Sequence, residues 1–246
     1  MNDVARYALG LGDDALIAAQ RLGELYAGSP EMEEDVALAN IALDQLGAAR
    51  LLLSYAAELT GEGDEDALAF LRGPDEFRNH VLVELPNGDF AVTVAKLLFL
   101  AAWQRPLYAG LARSRDERLA GIAATAGLES AYHLDHAAQW TIRLGDGTEE
   151  SHRRMQDAVD ALWPYTRELF VPDPVARRLP GVAGDPAAAE WTAIVESTLA
   201  TATLRIPAGV EAPPALDGRA GRHTAHLTAL LDEMQALHRA HPGARW

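Results

Sequence analysis

The sequence predicts an all-α protein built as an antiparallel helical bundle. Three observations carry that expectation. Apolar residues recur at three- and four-residue spacing through several long segments, no alternating apolar and polar run of any length occurs, and short Gly- and Pro-containing stretches part the segments. A chain of 246 residues can bury a sizeable core. One helical domain is expected over residues 1–246, with a core bundle at about 13–145 and C-terminal helices at about 149–246.

Each element has its own local warrant. Residues 13–26 (DDALIAAQRLGELY) read as a first helix, with Asp13 and Asp14 at the positive end of its dipole and Gly28 just beyond its end. Ser29 and Pro30 offer a cap and a first-turn proline to a second helix, which continues to Leu59 and is stopped by Gly61 and Gly63. Residues 66–71 make a short helix, and a loop then ends at LPNGD. Asp89 caps the most apolar segment, FAVTVAKLLFLAAWQRPLYAGLA, which must lie at the centre of the bundle; Pro106 should kink it. A long helix follows from Asp116 to Leu144 and closes at Gly145, and another runs from Thr148 toward Phe170, bent at Pro164. A Pro- and Gly-rich connection over 171–186 leads to a helix at 187–204. The loop at 206–222 is expected to be mobile, and a terminal helix covers 223–239. Long helices joined by short loops suit a bundle, at about 1.5 Å of length per residue.

Composition narrows the function classes. The absence of cysteine excludes disulfides, a thiolate nucleophile and Cys-ligated metal centres, and suits a reducing, cytoplasmic setting. The first twenty residues carry Asp3, Arg6, Asp13 and Asp14 and so hold no apolar signal core, and no uncharged stretch approaches a membrane span. The formal net charge of −15, with Lys and Arg scattered as singles and pairs, argues against nucleic acid as a partner. The same charge disfavours a polyanion such as a coenzyme A ester, for which Arg177–Arg178 and Arg219/Arg222 are the local basic candidates.

The stretch GLESAYHLDHAAQW, residues 127–140, places Glu129, His133 and His136 along one helical stripe, a pattern suited to metal ligands. A ferritin-like di-iron bundle needs a Glu on each of two helices and a Glu-x-x-His on each of the other two. In the Asp116 helix the carboxylate is off by one, since Ser130 stands where Glu is required. The second helix offers Asn40 and Asp44 but no histidine, and the first offers Gln20, a poor iron ligand. Between Asp89 and Asp116 there is no Asp, Glu or His, so a di-iron centre lacks one wall. A mononuclear site of Glu129, His133 and His136, serving a free-standing metal-dependent oxidase, stays open as an alternative. The favoured reading is a metal-free polar cluster in which Gln20, Asn40, Asp44, Glu129, His133 and His136 satisfy one another. His223 and His226 read as surface residues, and Trp103, Trp140, Trp163 and Trp191 as core anchors. No phosphate-cradling glycine loop and no nucleophile elbow is present.

Several segments carry a resemblance: GDDALIAAQRLGE, LANIALDQLGAARLLLSYAAELTGEGDEDALAF, VELPNGDFA, ESAYHL, RLGDGTEES, ALWPYTRELF and HTAHLTALLDEMQALHRAHPGARW. Over essentially its whole length the chain resembles the C subunits of the phenylacetyl-CoA epoxidase (ring 1,2-phenylacetyl-CoA monooxygenase) family. That resemblance implies a ferritin-like subunit without a metal centre and without catalytic residues of its own. It would work in aerobic phenylacetate degradation, paired with and stabilising a di-iron catalytic A subunit. The resemblance further implies a reductase carrying flavin and an iron–sulfur cluster, fed by NADPH. Other subunits of the complex are implied as partners, and a homodimer of the isolated chain is left open. Where A-type chains carry Glu-x-x-His on the fourth helix, this chain has Ser130 and His133. On the second helix the aligned positions are Leu46 and Ala49, or Asp44 and Gly47 in the other register, and both lack the histidine.

Overall fold

A computed structural model of the chain describes residues 2–25, 28–61, 63–208 and 216–244. Among these, nine α-helices and a few single 3-10 turns make up the regular structure, and the extended backbone pairs only at an isolated bridge between Asp217 and Arg222. The chain is an all-α, ferritin-like helical bundle.

Helix α1, Asp3–Gly23, begins ten residues before the acidic pair expected to open it. Asn2 supplies the cap instead, its side-chain oxygen accepting from Ala5 N at 2.7 Å. Gly10 and Gly12 resemble breaks in the sequence, yet they let neighbours approach: a Cβ on Gly12 would sit 2.9 Å from the Leu53 side chain. Helix α2, Met32–Thr60, starts after Glu31, two residues past the expected Ser29–Pro30 cap, and ends where Gly61 turns left-handed at φ 70°.

A long crossover then carries the chain from α2 to the second hairpin. It contains α3 (Glu65–Phe70, capped by Asp64), a 3-10 turn at Pro74–Glu76 and the single turn α4 (Val81–Glu84). Helix α5, Phe90–Leu111, is capped by Asp89, whose Oδ1 accepts from Val92 N at 3.1 Å. It runs through Pro106 without ending there, and its apolar residues are buried nearly all round. Helix α6, Glu117–Gly145, opens with Asp116 accepting from Arg118 N and Leu119 N. Helix α7, Glu149–Thr166, continues past Pro164 into a 3-10 turn at Arg167–Phe170. Helices α8 (Ala188–Thr201) and α9 (Ala225–Ala240) complete the set. The expected loop at 206–222 is a 3-10 turn at Gly218–Ala220 toward its end, while residues 209–215 lie outside the described residues, as does position 26 at the end of the expected first helix.

Packing follows from these faces. Helix α1 lies along α2 and α5 along α6, the two hairpins meet through α2 and α6, α7 and α8 cover α5, and α9 closes over α3 and the crossover. Buried tryptophans pin the outer layer: Trp191 Nε1 donates to Phe99 O at 3.0 Å and Trp103 Nε1 to Leu169 O at 3.1 Å, while Trp140 and Trp163 are half-buried against the core.

Asp13 and Asp14 lie completely buried in mid-helix, where they organise the crossover. Asp13 accepts from both terminal nitrogens of Arg72 and from Arg78 N at 2.8 Å. Asp14 accepts from His80 N at 2.7 Å and from Arg219 Nη2 at 2.6 Å, with His80 Nδ1 3.1 Å away. Burial alone would raise the Asp14 pKa, but the charges of Arg219 and His80 outweigh it and hold the carboxyl below its ordinary value. A second knot sits beside it: Glu84, wholly buried, accepts from Thr224 N at 2.6 Å and lies 2.7 Å from His223 Nδ1. His223 therefore belongs to the interior rather than to the surface. Lys96, also buried, donates to Leu85 O at 2.6 Å and Asn87 Oδ1 at 3.0 Å, and burial brings its pKa down to about 7.

Replacing Asp14 by Ala should leave Arg219 and His80 buried without their counter-charge. The expected loss is about 3–5 kcal/mol of unfolding free energy by urea denaturation. A loss under ~1 kcal/mol would contradict this role for the pair.

Candidate functional site

A polar cluster at the bundle centre lies between α2, α5 and α6, and its contents are set by which face each helix turns inward. On α2 the inward residue is Gln45, 3% exposed, not Asn40, which is exposed. On α5 it is Gln104, 1% exposed. The two amides bond reciprocally: Gln45 Nε2 donates to Gln104 Oε1 at 2.9 Å, and Gln104 Nε2 to Gln45 Oε1 at 3.0 Å. On α6 the inward residues are Ser130 and His133, each 1% exposed. Ser130 Oγ turns back onto its own helix, donating to Ala126 O at 2.7 Å.

Both nitrogens of His133 are engaged. Nε2 lies 3.0 Å from Asp44 Oδ2, and Nδ1 is 3.4 Å from Gln45 Nε2. The amide can only donate, so Nδ1 accepts and Nε2 carries the proton that meets Asp44. The neutral ring meets both contacts. Burial accordingly lowers the His133 pKa, with the Asp44 carboxylate opposing less strongly.

The six residues read from the sequence as one cluster therefore divide. His133 and Asp44 are together, with Asp44 at the rim, its side chain 36% exposed. Glu129 is partly buried beside them; burial and the Asp44 charge raise its pKa. His136 turns instead to Glu34, Nε2 lying 3.2 Å from Oε2 but off the hydrogen-bonding line, so that both atoms are buried and unbonded among the described residues. Among the described residues no hydrogen bond joins Asn40 or Gln20 to the cluster: Asn40 is exposed, and Gln20 lines a cavity of about 380 Å³ between α1 and α2 with Leu38, Ala42 and Leu46. The places expected for Asn40 and Gln20 are taken by Gln45 and Gln104. A 100° step along the helix separates Asp44 from Gln45, and only packing decides which of the two points in. Gln104 carries a legible signal as an uncharged polar residue deep in the greasiest segment.

These residues do not fit a pair of iron ions. The centre holds two amides bonded to each other, a hydroxyl bonded to its own helix and one imidazole with both nitrogens engaged. Nor do His133 and His136 converge with Glu129, because they face different carboxylates; among the described residues no group of three His, Asp or Glu side chains is placed to hold a metal ion.

A four-helix core with a crossover between its hairpins and a polar cluster among its helices defines a ferritin-like helical bundle. The chain belongs to the phenylacetic acid catabolic protein family, whose family model matches residues 1–246. It is 48% identical over 250 residues to the C subunit of 1,2-phenylacetyl-CoA epoxidase of Escherichia coli (strain K12), a match covering 100% of both chains.

Two buried histidines should act oppositely on stability as pH changes. His133, with its pKa lowered, stabilises the fold fully above the unfolded value of about 6.5 and loses that contribution as pH falls below it. For His223 burial opposes charging, but the bond to Glu84 and its charge prevail and raise the pKa. Its contribution is complete below about 6.5 and is lost as pH rises through the folded value. Urea unfolding should therefore find His133→Gln most destabilising at pH 8 and His223→Gln most destabilising at pH 5.5. The same ordering in both variants would contradict the assignment.

Proposed function

We propose that this chain is a structural, non-catalytic subunit of a multicomponent phenylacetyl-CoA 1,2-epoxidase. In this reading it pairs with and stabilises the di-iron catalytic A subunit in aerobic phenylacetate degradation, in the cytoplasm. Iron belongs to that partner, and flavin, iron–sulfur cluster and NADPH to the reductase. The observation that carries the reading is the amide pair Gln45–Gln104 at the bundle centre. It stands in a chain matched over its full length by a relative named as an epoxidase subunit. An amide pair offers weak donors to iron, whereas it holds two helices in register well.

The outer faces of α2 and α6 support the pairing. Among the described residues α2 is the one helix long and apolar enough to cross a membrane, yet only 39% of that apolar window is buried. Met32, Val36, Leu43 and Leu46 lie exposed along α2, and Leu128 and Tyr132 along the neighbouring α6. An apolar stripe of this extent on adjacent helices suits a subunit interface.

Co-expression with an A-type di-iron subunit should give a stable complex whose iron resides in the partner. The double variant Leu43→Asp/Leu128→Asp should abolish co-purification while leaving the unfolding midpoint of the isolated chain unchanged within error. Iron stoichiometric with this chain purified alone, and lost in His133→Leu, would overturn the proposal.

A further inference from the structure

A cavity lined by residues of α1, the crossover and the loop before α9 lies apart from the amide cluster and shares none of its residues. It measures about 660 Å³, within the range of small-molecule sites, and opens to solvent beside Arg6. In a chain with 36 acidic and 21 basic residues its walls invert the balance, since Arg6, Arg72, Arg78 and Arg219 line it against two carboxylates, Glu76 and Asp173. No run in the sequence announces this, because the four arginines come from α1, the crossover and the loop before α9.

Which of these charges remain available follows from their bonds. Glu76 and Asp173 each accept from a backbone amide, Gly73 N at 2.8 Å and Val175 N at 2.8 Å. Asp3, next to Arg6, is held by Arg178 through two bonds of 2.7 Å. Asp13 and Asp14, behind the wall, are taken by Arg72 and by Arg219 with His80. On the cationic side, Arg72 has all three guanidinium nitrogens bonded. Arg219 uses Nη1 on Gly10 O and Nη2 on Asp14 and leaves Nε free among the described residues. Among the described residues Arg78 uses only Nη1, on the carbonyls of Asp75 and Phe77, and its side chain pairs with no carboxylate. The Arg6 side chain makes no hydrogen bond or ion pair among the described residues, although its charge helps lower the Asp3 pKa. The Tyr7 hydroxyl accepts from Gly184 N at 3.0 Å, which leaves its own proton to donate. Unused donors from Arg6, Arg78, Arg219 and Tyr7 thus line one concave space, and Leu9, Leu59 and Leu68 supply its apolar wall.

We propose that this cavity binds a small organic anion, an oxyanion head group carried on a short apolar body, with Arg6 and Arg78 as its principal charge partners. Planar guanidiniums with free N–H groups suit both phosphate and carboxylate, the two sources of such a head group.

Calorimetric titration of the intact chain with phenyl phosphate, phenylacetate and 2-phenylethanol tests this, because the three share a ring and differ in charge. At least one anion should bind at millimolar concentration or below, more tightly than the neutral alcohol. The stronger of the two identifies the head group as phosphate or carboxylate. Arg6→Ala, which removes no bond of the fold, and Arg78→Ala should each weaken that binding about tenfold. Failure of both anions to bind, equal binding of the alcohol, or undiminished affinity in the Arg6→Ala/Arg78→Ala double variant would overturn the proposal.

Discussion

Two glutamines facing each other across the centre of the bundle set the terms for what surrounds them. An amide buried there must pair or cost about 1–3 kcal/mol, and Gln45 and Gln104 pair with each other. The same Gln45 reaches His133, which fixes the imidazole tautomer and directs its proton to Asp44 at the rim. Three helices, α2, α5 and α6, are thereby tied to one register by side chains bonded to one another. Leucines would pack such a centre at lower risk; a closed polar set specifies one alignment of the helices.

A second constraint operates at the other side of α1. The crossover between the helical hairpins and the loop before α9 contain little regular structure; Asp13 and Asp14 hold both to α1, and Glu84 of the crossover holds the loop before α9. The buried carboxylates act as fixed acceptors for arginines and backbone amides that arrive from distant parts of the chain. The arginine-lined cavity is a by-product of the same arrangement: guanidiniums drawn toward Asp13 and Asp14 leave their remaining donors, and their neighbours Arg6 and Arg78, facing open space.

The fold is legible in the sequence where the signals are local. Asp89 and Asp116 cap the helices they are expected to cap, Gly61 ends α2, and the apolar run after Asp89 occupies the centre. The start of α1 is not legible, because an acidic pair next to glycines looks the same as a helix beginning, and the partners that bury it are 59 to 205 residues away. His223 resembles a surface residue for the same reason, its partner Glu84 being 139 residues distant. Within the site, the absence of Asp, Glu and His from α5 can be read directly, whereas the choice of Gln45 over Asn40 depends on helix rotation, which packing sets. The cavity is illegible because it gathers its arginines from three distant parts of the chain, α1, the crossover and the loop before α9.

The central claim is that the polar cluster is closed upon itself and not a metal cage. The most direct measurement is the unfolding free energy of the isolated chain in ferrous iron against the same solution with a chelator, since a ligand held only by the folded state adds about 2.7 kcal/mol at a hundredfold excess over its dissociation constant. A closed cluster predicts the same unfolding midpoint in both. A midpoint raised by iron in the wild type, and restored to the chelator value by Gln45→Leu/His133→Leu, would contradict it.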